Sequence, residues 1–196
     1  MRRKNLDNGG ISEVFGVMLV LTVTLIVACL VAVFVGGFSF GDEEQAISAN
    51  LVASGLYADE SKDCAYILFE HVSGDPVDPN SIVFSLGLRS SAKNTTRIQN
   101  TDKPTGDDEK GKSLTHYIQN YGAPDTTKKI AVGDRLVLYA DGVHRGDDGG
   151  IYWRNANPGT TGEFFAPWND YITYQILDTR SNRPISSGKI PVEQPG

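Results

Sequence analysis

The sequence predicts an α+β chain: one long N-terminal hydrophobic α-helix followed by a mainly antiparallel β-sandwich domain. Three observations lead there. The 27 residues from Val14 to Phe40 carry no charge. From Cys64 onward, short runs of strand-forming residues alternate with Gly and Asp turn signals. Between the two parts lies the acidic stretch Asp42-Glu43-Glu44.

The uncharged run is about 40 Å long as a helix at 1.5 Å per residue. A bilayer core of about 30 Å needs only about 20 residues. Arg2, Arg3 and Lys4 precede the run and the acidic stretch follows it. By the positive-inside rule the N-terminus is cytoplasmic and the following domain lies outside. A secretory signal peptide has a shorter apolar region ending in small residues. Length and charge by themselves therefore read as a signal anchor, one helix tethering an outside domain.

Three features near the start of the run bear on that reading. Gly9-Gly10 precedes the apolar residues instead of following them, Glu13 stands at the threshold beside Ser12, and Gly16 follows within one helical turn. An ionisable group at the edge of a lipid-embedded helix is costly without a partner. A cut after Gly10 gives Ile11 a new α-amino group. That cation, on the same chain or a neighbouring one, offsets part of the cost of desolvating Glu13. The opposing reading leaves Glu13 in the headgroup region, where a carboxylate costs little.

The stretch Gly10-Ile11-Ser12-Glu13-Val14-Phe15-Gly16-Val17-Met18-Leu19 resembles the N-terminus of archaeal type IV pilins. The departures are Ile at 11 and Phe at 15, and Gly9 is also small. The resemblance implies a class III signal peptide, removed by a membrane prepilin peptidase that leaves the apolar helix in place. It makes Gly10 the last leader residue and Ile11 the mature N-terminus, with Glu13 and Gly16 as assembly positions. It implies residues 1–10 as leader, 11–55 as hydrophobic helix and stalk, and 56–196 as the extracellular domain. The partners implied are other copies of the chain in a helical filament, the peptidase, the pilus assembly machinery and, before assembly, the membrane.

Asp42-Glu43-Glu44-Gln45 has the pattern of a capping box, with acids in the first turn. It predicts a stalk helix through about Ser54, stopped by Gly55. Strands are predicted at 64–71, 81–88, 95–99, 114–120, 129–131, 135–140, 150–154, 171–177 and 184–192. Seven to nine short strands with turn signals suggest an immunoglobulin-like sandwich. His71-Val72-Ser73-Gly74-Asp75-Pro76-Val77 and Val132-Gly133-Asp134-Arg135-Leu136-Val137-Leu138 are also similar to later segments of the pilin family, as are Trp153 and the closing hairpin from Ile176-Leu177-Asp178 to Ile185. Asp75 and Asp134 read as turn residues.

The remaining signals are weaker. Asn100–Lys112 is polar and reads as an exposed, mobile loop. Gly142–Gly150 is a second loop, containing Arg145-Gly146-Asp147, and Asp141, Asp147 and Asp148 lack the spacing of an EF-hand. Asn94-Thr95-Thr96 is an N-glycosylation acceptor candidate. Gly37–Gly41 matches the hydrolase pattern G-x-S-x-G without a preceding strand. Cys29 and Cys64 are too few for a disulfide framework and read as small buried hydrophobes. His71, His116 and His144 form no metal-ligand pattern, and neither a cofactor motif nor a catalytic constellation is evident. Twenty-four acids against eighteen bases give a net charge of -6, which argues against nucleic acid.

The leading expectation is a structural, non-enzymatic subunit of an adhesive surface filament. It would be membrane-inserted before assembly and extracellular afterwards. The alternative is a signal-anchored surface binding module that forms no filament. It leaves Gly9-Gly10 and Glu13 as accidents.

Overall fold

The computed structural model describes residues 9–37, 47–91, 94–122, 126, 128–154 and 162–195, with helix side chains described for residues 14–32. The chain divides into two compact units, residues 1–45 and 46–196.

The first unit contains one helix, α1 (Gly9–Gly37), of 29 residues. Val, Ile and Thr are frequent in it, and β-branched residues are mediocre helix formers in water. In lipid the backbone has no other partners, so the helix wins. Its described hydroxyls, those of Thr22 and Thr24, are satisfied internally. Thr22 Oγ1 donates to the Met18 carbonyl at 2.8 Å, and Thr24 Oγ1 to that of Leu21 at 2.9 Å. Val14–Ala32 is long and apolar enough to cross a membrane, and none of it is buried within the protein. Cys29, expected to be buried, is exposed here because the helix has no protein around it.

The strands described in the second unit are β1 (Ala49–Asp59), β2 (Cys64–Gly74), β3 (Ile82–Leu88), β4 (Thr95–Ile98), β5 (Ile118–Asn120), β6 (Arg135–Tyr139), β7 (Gly142–His144), β8 (Gly150–Arg154), β9 (Glu163–Pro167), β10 (Asp170–Asp178) and β11 (Pro184–Val192). They form an antiparallel sheet in the order β1-β2-β6-β5, a second in the order β11-β10-β3-β4, and a third in the order β7-β8-β9. The α+β class is as expected. Among the described residues there are three sheets, where the expected immunoglobulin-like sandwich has two.

Alternation along the strands builds the core. On β2, Ala65, Ile67, Phe69 and His71 point inward and are buried. On β10, Ile172, Tyr174 and Ile176 do the same. Phe69 joins the first two sheets, with ring centroids 5.0 Å from both Phe84 on β3 and Tyr174 on β10. The β1 edge is tied across by two polar contacts. Ala53 N–H donates to Tyr174 Oη at 3.1 Å, and Ser186 Oγ donates to the Leu51 carbonyl at 2.7 Å. Cys64 is buried, as expected, and burial pushes its thiol up to about 12.

Several expectations change. The stalk helix to Ser54 is not present beyond the undescribed residues, because Ala49–Asp59 is strand β1, paired along its length with β2. Gly55 sits at a register shift of that pairing instead of ending a helix. Gly74 closes the join: its φ is +103°, and a Cβ there would lie 2.1 Å from the Ser48 carbonyl oxygen. Asp75 accepts from Ser48 N–H at 3.1 Å, and Asp134 from Ala131 N–H at 3.0 Å, so both are turn residues. The strand expected at 129–131 is a single bridge, Ile130 to Val77. The strands β7 and β9 were not expected.

The polar stretch 100–112 is docked, not loose. Leu114 N–H bonds the Gly106 carbonyl at 3.0 Å, and Asp107 bridges Ser113. Its anchor is Asp141, which is buried. The Asp141 carboxylate accepts from Thr105 N–H and Arg154 N–H, both at 2.7 Å, from Thr105 Oγ1 at 3.0 Å and from Tyr117 Oη at 2.7 Å. Gly106 passes so close that a Cβ would lie 2.6 Å from the Asp141 carbonyl oxygen.

Trp153 and Trp168 are both buried in this unit and are the two tryptophans of the chain, so tryptophan fluorescence reports its unfolding. Asp141→Asn replaces one acceptor oxygen with a donor among four donors. Hydrogen bonds to charged groups contribute about 1.5–3 kcal/mol each, so a loss of roughly 2–4 kcal/mol is expected, read as a lower urea midpoint. Stability also falls in acid. The Ser61 hydroxyl holds Asp59 at about 2. The Ser90 hydroxyl lowers Asp170. At Asp178 burial pushes upward, but the hydrogen bonds from Ser181 and Arg180 win and the carboxyl is lowered. Unfolded aspartates titrate near about 3.9, so the unfolded chain takes up protons first. The stability these groups add is present above about pH 4 and is lost as pH falls towards about 2. A urea midpoint unchanged over that window removes this account.

Candidate assembly segment

Residues Gly10, Ile11 and Glu13 lie in the first turns of α1, which begins at Gly9; their side chains lie outside the described residues. The helix of 29 residues is about 43 Å long at 1.5 Å per residue, more than a bilayer core requires. Positions 13 and 16 are three apart and fall on one helix face. Gly16 has open space where a Cβ would stand, so its small size is not demanded by any contact within the chain. The expected stalk cap, 42–45, and the greater part of the G-x-S-x-G match lie outside the described residues.

The side chains of Val14–Ala32 present an apolar surface on all sides. Phe15 is 70% exposed and Val27, nearly at the other end, 52%. Shallow grooves between them are lined by small and branched residues such as Val23, Val27, Ala28 and Val31. Each Val, Leu, Ile or Phe left in water forgoes about 1.5–3 kcal/mol relative to burial. Water is therefore not the surroundings of this helix. Lipid or other apolar helices cover it.

The second unit holds the other sequence-derived candidates. Asn94 is half-buried just before β4. Its Nδ2 donates to the Phe165 carbonyl at 3.3 Å, its N–H donates to the Ser91 carbonyl at 3.1 Å, and Thr96 of the same sequon is buried. Arg145-Gly146-Asp147 forms the turn between β7 and β8, with Gly146 at φ +93°. Beside it, His144 Nε2 lies 2.9 Å from Glu163 and the ring stacks on Tyr152 at 4.5 Å. Asp141 has its oxygens engaged as described and does not join Asp147 and Asp148 in a ligand set. Among the described residues no group of three or more His, Cys, Asp or Glu side chains is placed to hold a metal ion. His71 is buried on the inner face of β2, with both ring nitrogens lacking a hydrogen-bond partner. It fills the core as an aromatic ring.

Sequence reasoning missed a cluster of tyrosines on the outer face of the first sheet. The signal was present in the alternation Cys64, Tyr66, Leu68 on β2 and Val137, Tyr139 on β6, where a solvent face should have been polar.

Comparison with known proteins places a family match on the first of these features. Residues 9–51 match the family model described as archaeal type IV pilin, N-terminal. That range covers α1 and reaches the first residues of β1. An uncharacterized protein of Archaeoglobus fulgidus is 36% identical over 83 residues, which is 42% of this chain and 55% of that protein. The match thus spans little more than half of that relative. The motif at residues 10–19, the exposed apolar helix and the family match coincide, so the N-terminal segment of this chain is similar to that of the archaeal type IV pilins.

Proposed function

We propose that the chain is a structural subunit of an extracellular archaeal type IV pilus, an adhesion filament assembled through its N-terminal helix. The observation that carries this reading is α1 itself. It is a pilin-family helix that is apolar on every described side and unburied within its own chain. Such a surface suits lipid first and a bundle of like helices later.

In this reading the precursor sits in the membrane with residues 1–10 on the cytoplasmic side. A prepilin peptidase cuts between Gly10 and Ile11. The mature helix then begins at Ile11, and Glu13 falls in its first turn. A carboxylate there complements the helix dipole, and it also pairs with a new α-ammonium on its own or a neighbouring subunit. Gly16, open on its face, lets a second helix approach closely. Copies of the chain, drawn from the membrane, would bury their helices together and leave the β-domains outside.

Asn94 is the proposed glycan acceptor. Its Nδ2, the atom that would carry the sugar, is bonded to the Phe165 carbonyl. Modification therefore has to precede folding of β9 against this turn, or release that bond.

Two experiments test the proposal. The intact mass of subunits from purified filaments should correspond to a chain beginning at Ile11. A glycan at Asn94 would add mass that Asn94→Gln removes. Recovery of the chain only as unassembled, full-length membrane protein would sink the filament reading and favour a signal-anchored module. Glu13→Ala should lower filament yield severalfold while membrane insertion is unchanged. Wild-type yield from that variant would remove the pairing role of Glu13.

A further inference from the structure

The outer face of the first sheet carries a built groove. Tyr57 on β1 stacks on Tyr66 of β2 with centroids 4.9 Å apart, and Tyr66 lies 5.6 Å from Tyr139 on β6. Beneath them Cys64 and Val137 are buried. The segment 107–113 folds against this face as a tight turn closed by the bridge between Asp107 and Ser113. Asp108 N–H donates to the Lys112 carbonyl at 2.8 Å, and the Asp108 carboxylate accepts from the N–H groups of Lys110 and Lys112, both at 2.9 Å. Burial first, and the Glu109 carboxylate next to it, raise the Tyr66 hydroxyl, so the turn stands against the tyrosines. Between this turn and the β5 end of the sheet lies a cavity of about 360 Å³.

Its chemistry is specific. Tyr139 and Gln119 line it, and Tyr121, 47% exposed, also lines it. The Tyr121 backbone is pinned by its N–H to the Arg135 carbonyl at 2.9 Å, so the ring stands on a fixed support. The polar lining balances: Asp108 and Glu109 against Lys110 and Lys112. Two carboxylates oppose an anion and two ammonium groups oppose a cation. A lining of both signs has no net charge to favour an anion or a cation, so it suits a ligand of no net charge with an apolar face for the rings and several groups that both donate and accept hydrogen bonds. Carboxylates supply acceptors, ammonium groups supply donors, and the amides of Gln119 and Asn120, each with one N–H already on a backbone carbonyl, supply both. The size falls within the usual range for small-ligand pockets, about 300–1,000 Å³.

We infer that this groove binds a neutral saccharide, with a pyranose ring laid against Tyr121 and its hydroxyls on the charged and amide groups around it. The inference does not rest on filament assembly. It gives the β-domain a recognition surface of its own.

The test uses the full chain in lipid nanodiscs free of glycolipid, probed with the methyl pyranosides of glucose, mannose, galactose and N-acetylglucosamine. Saturation-transfer NMR should show transfer to the ring C–H protons of at least one of them, with affinity on the order of millimolar. Tyr121→Ala should weaken it at least about tenfold, which is about 1.4 kcal/mol. Tyr121→Phe keeps the ring and should stay within about twofold. Tryptophan fluorescence checks that both variants are folded. Four outcomes overturn the inference: no transfer from any of the four sugars, undiminished transfer with Tyr121→Ala, stronger binding of tetramethylammonium or acetate than of any sugar, or self-association of the chain that Tyr121→Ala abolishes.

Discussion

A carboxylate taken out of water must be neutralised by hydrogen bonds or it unfolds its surroundings. Asp141 meets that demand with donors from three separate places: Thr105 in the 100–112 segment, Tyr117 just before β5, and the backbone of Arg154 at the end of β8. One side chain thereby fixes a polar loop, the edge of the first sheet and the third sheet together. The neighbouring Trp153 reinforces the join, donating from Nε1 to the Tyr139 carbonyl at 2.7 Å. Gly106 permits it, since nothing larger passes the Asp141 backbone. The turn at 107–113 stands where it does because its root is held here.

The two units obey one rule in two solvents. Every backbone polar group needs a partner, and every large apolar surface needs cover. In α1 the partners are internal and the cover must come from outside, which is why its residues are apolar all round. In the β-unit the partners are neighbouring strands. The cover comes from the opposite sheet, which is why the apolar residues alternate. Lipid and a bundle of like helices would offer the surface of α1 the same apolar cover, which is why the proposed assembly asks for no change in the chemistry the helix presents. The β-unit covers its own apolar residues, and the tyrosine cluster on the outer face of the first sheet departs from that pattern.

Legibility followed the reach of each interaction. The strands β2, β3, β10 and β11 could be read from alternation and branched residues, because burial of one face imposes that pattern locally. The strand β1 could not. Ala49, Ala53, Ser54 and Gly55 have weak strand preference, and its state is set by pairing with β2 and by contact with Tyr174 and Ser186. β7 and β9 are three and five residues long and owe their pairing to β8 between them. The 100–112 segment looked mobile because it is polar. Many of its backbone groups and short polar side chains are in fact used, by one another, by Ile118 and by Asp141.

By itself the sequence determined the helix, its capacity to span a membrane, the placement of Gly10, Ile11, Glu13 and Gly16 at its start, and the β character of the rest. These depend on composition and short spacing, and the pilin resemblance rests on ten consecutive residues. Only the tertiary structure decided that the segment after the helix is an edge strand, that a third sheet exists, and that Asp141 sits at its junction. It also brought Tyr121, Tyr139 and Glu109 to one groove, with Tyr66 beside Tyr139. Those residues are separated by up to 73 positions in the chain. No local pattern links them. Strand register does, and register is chosen by the packing of the whole domain.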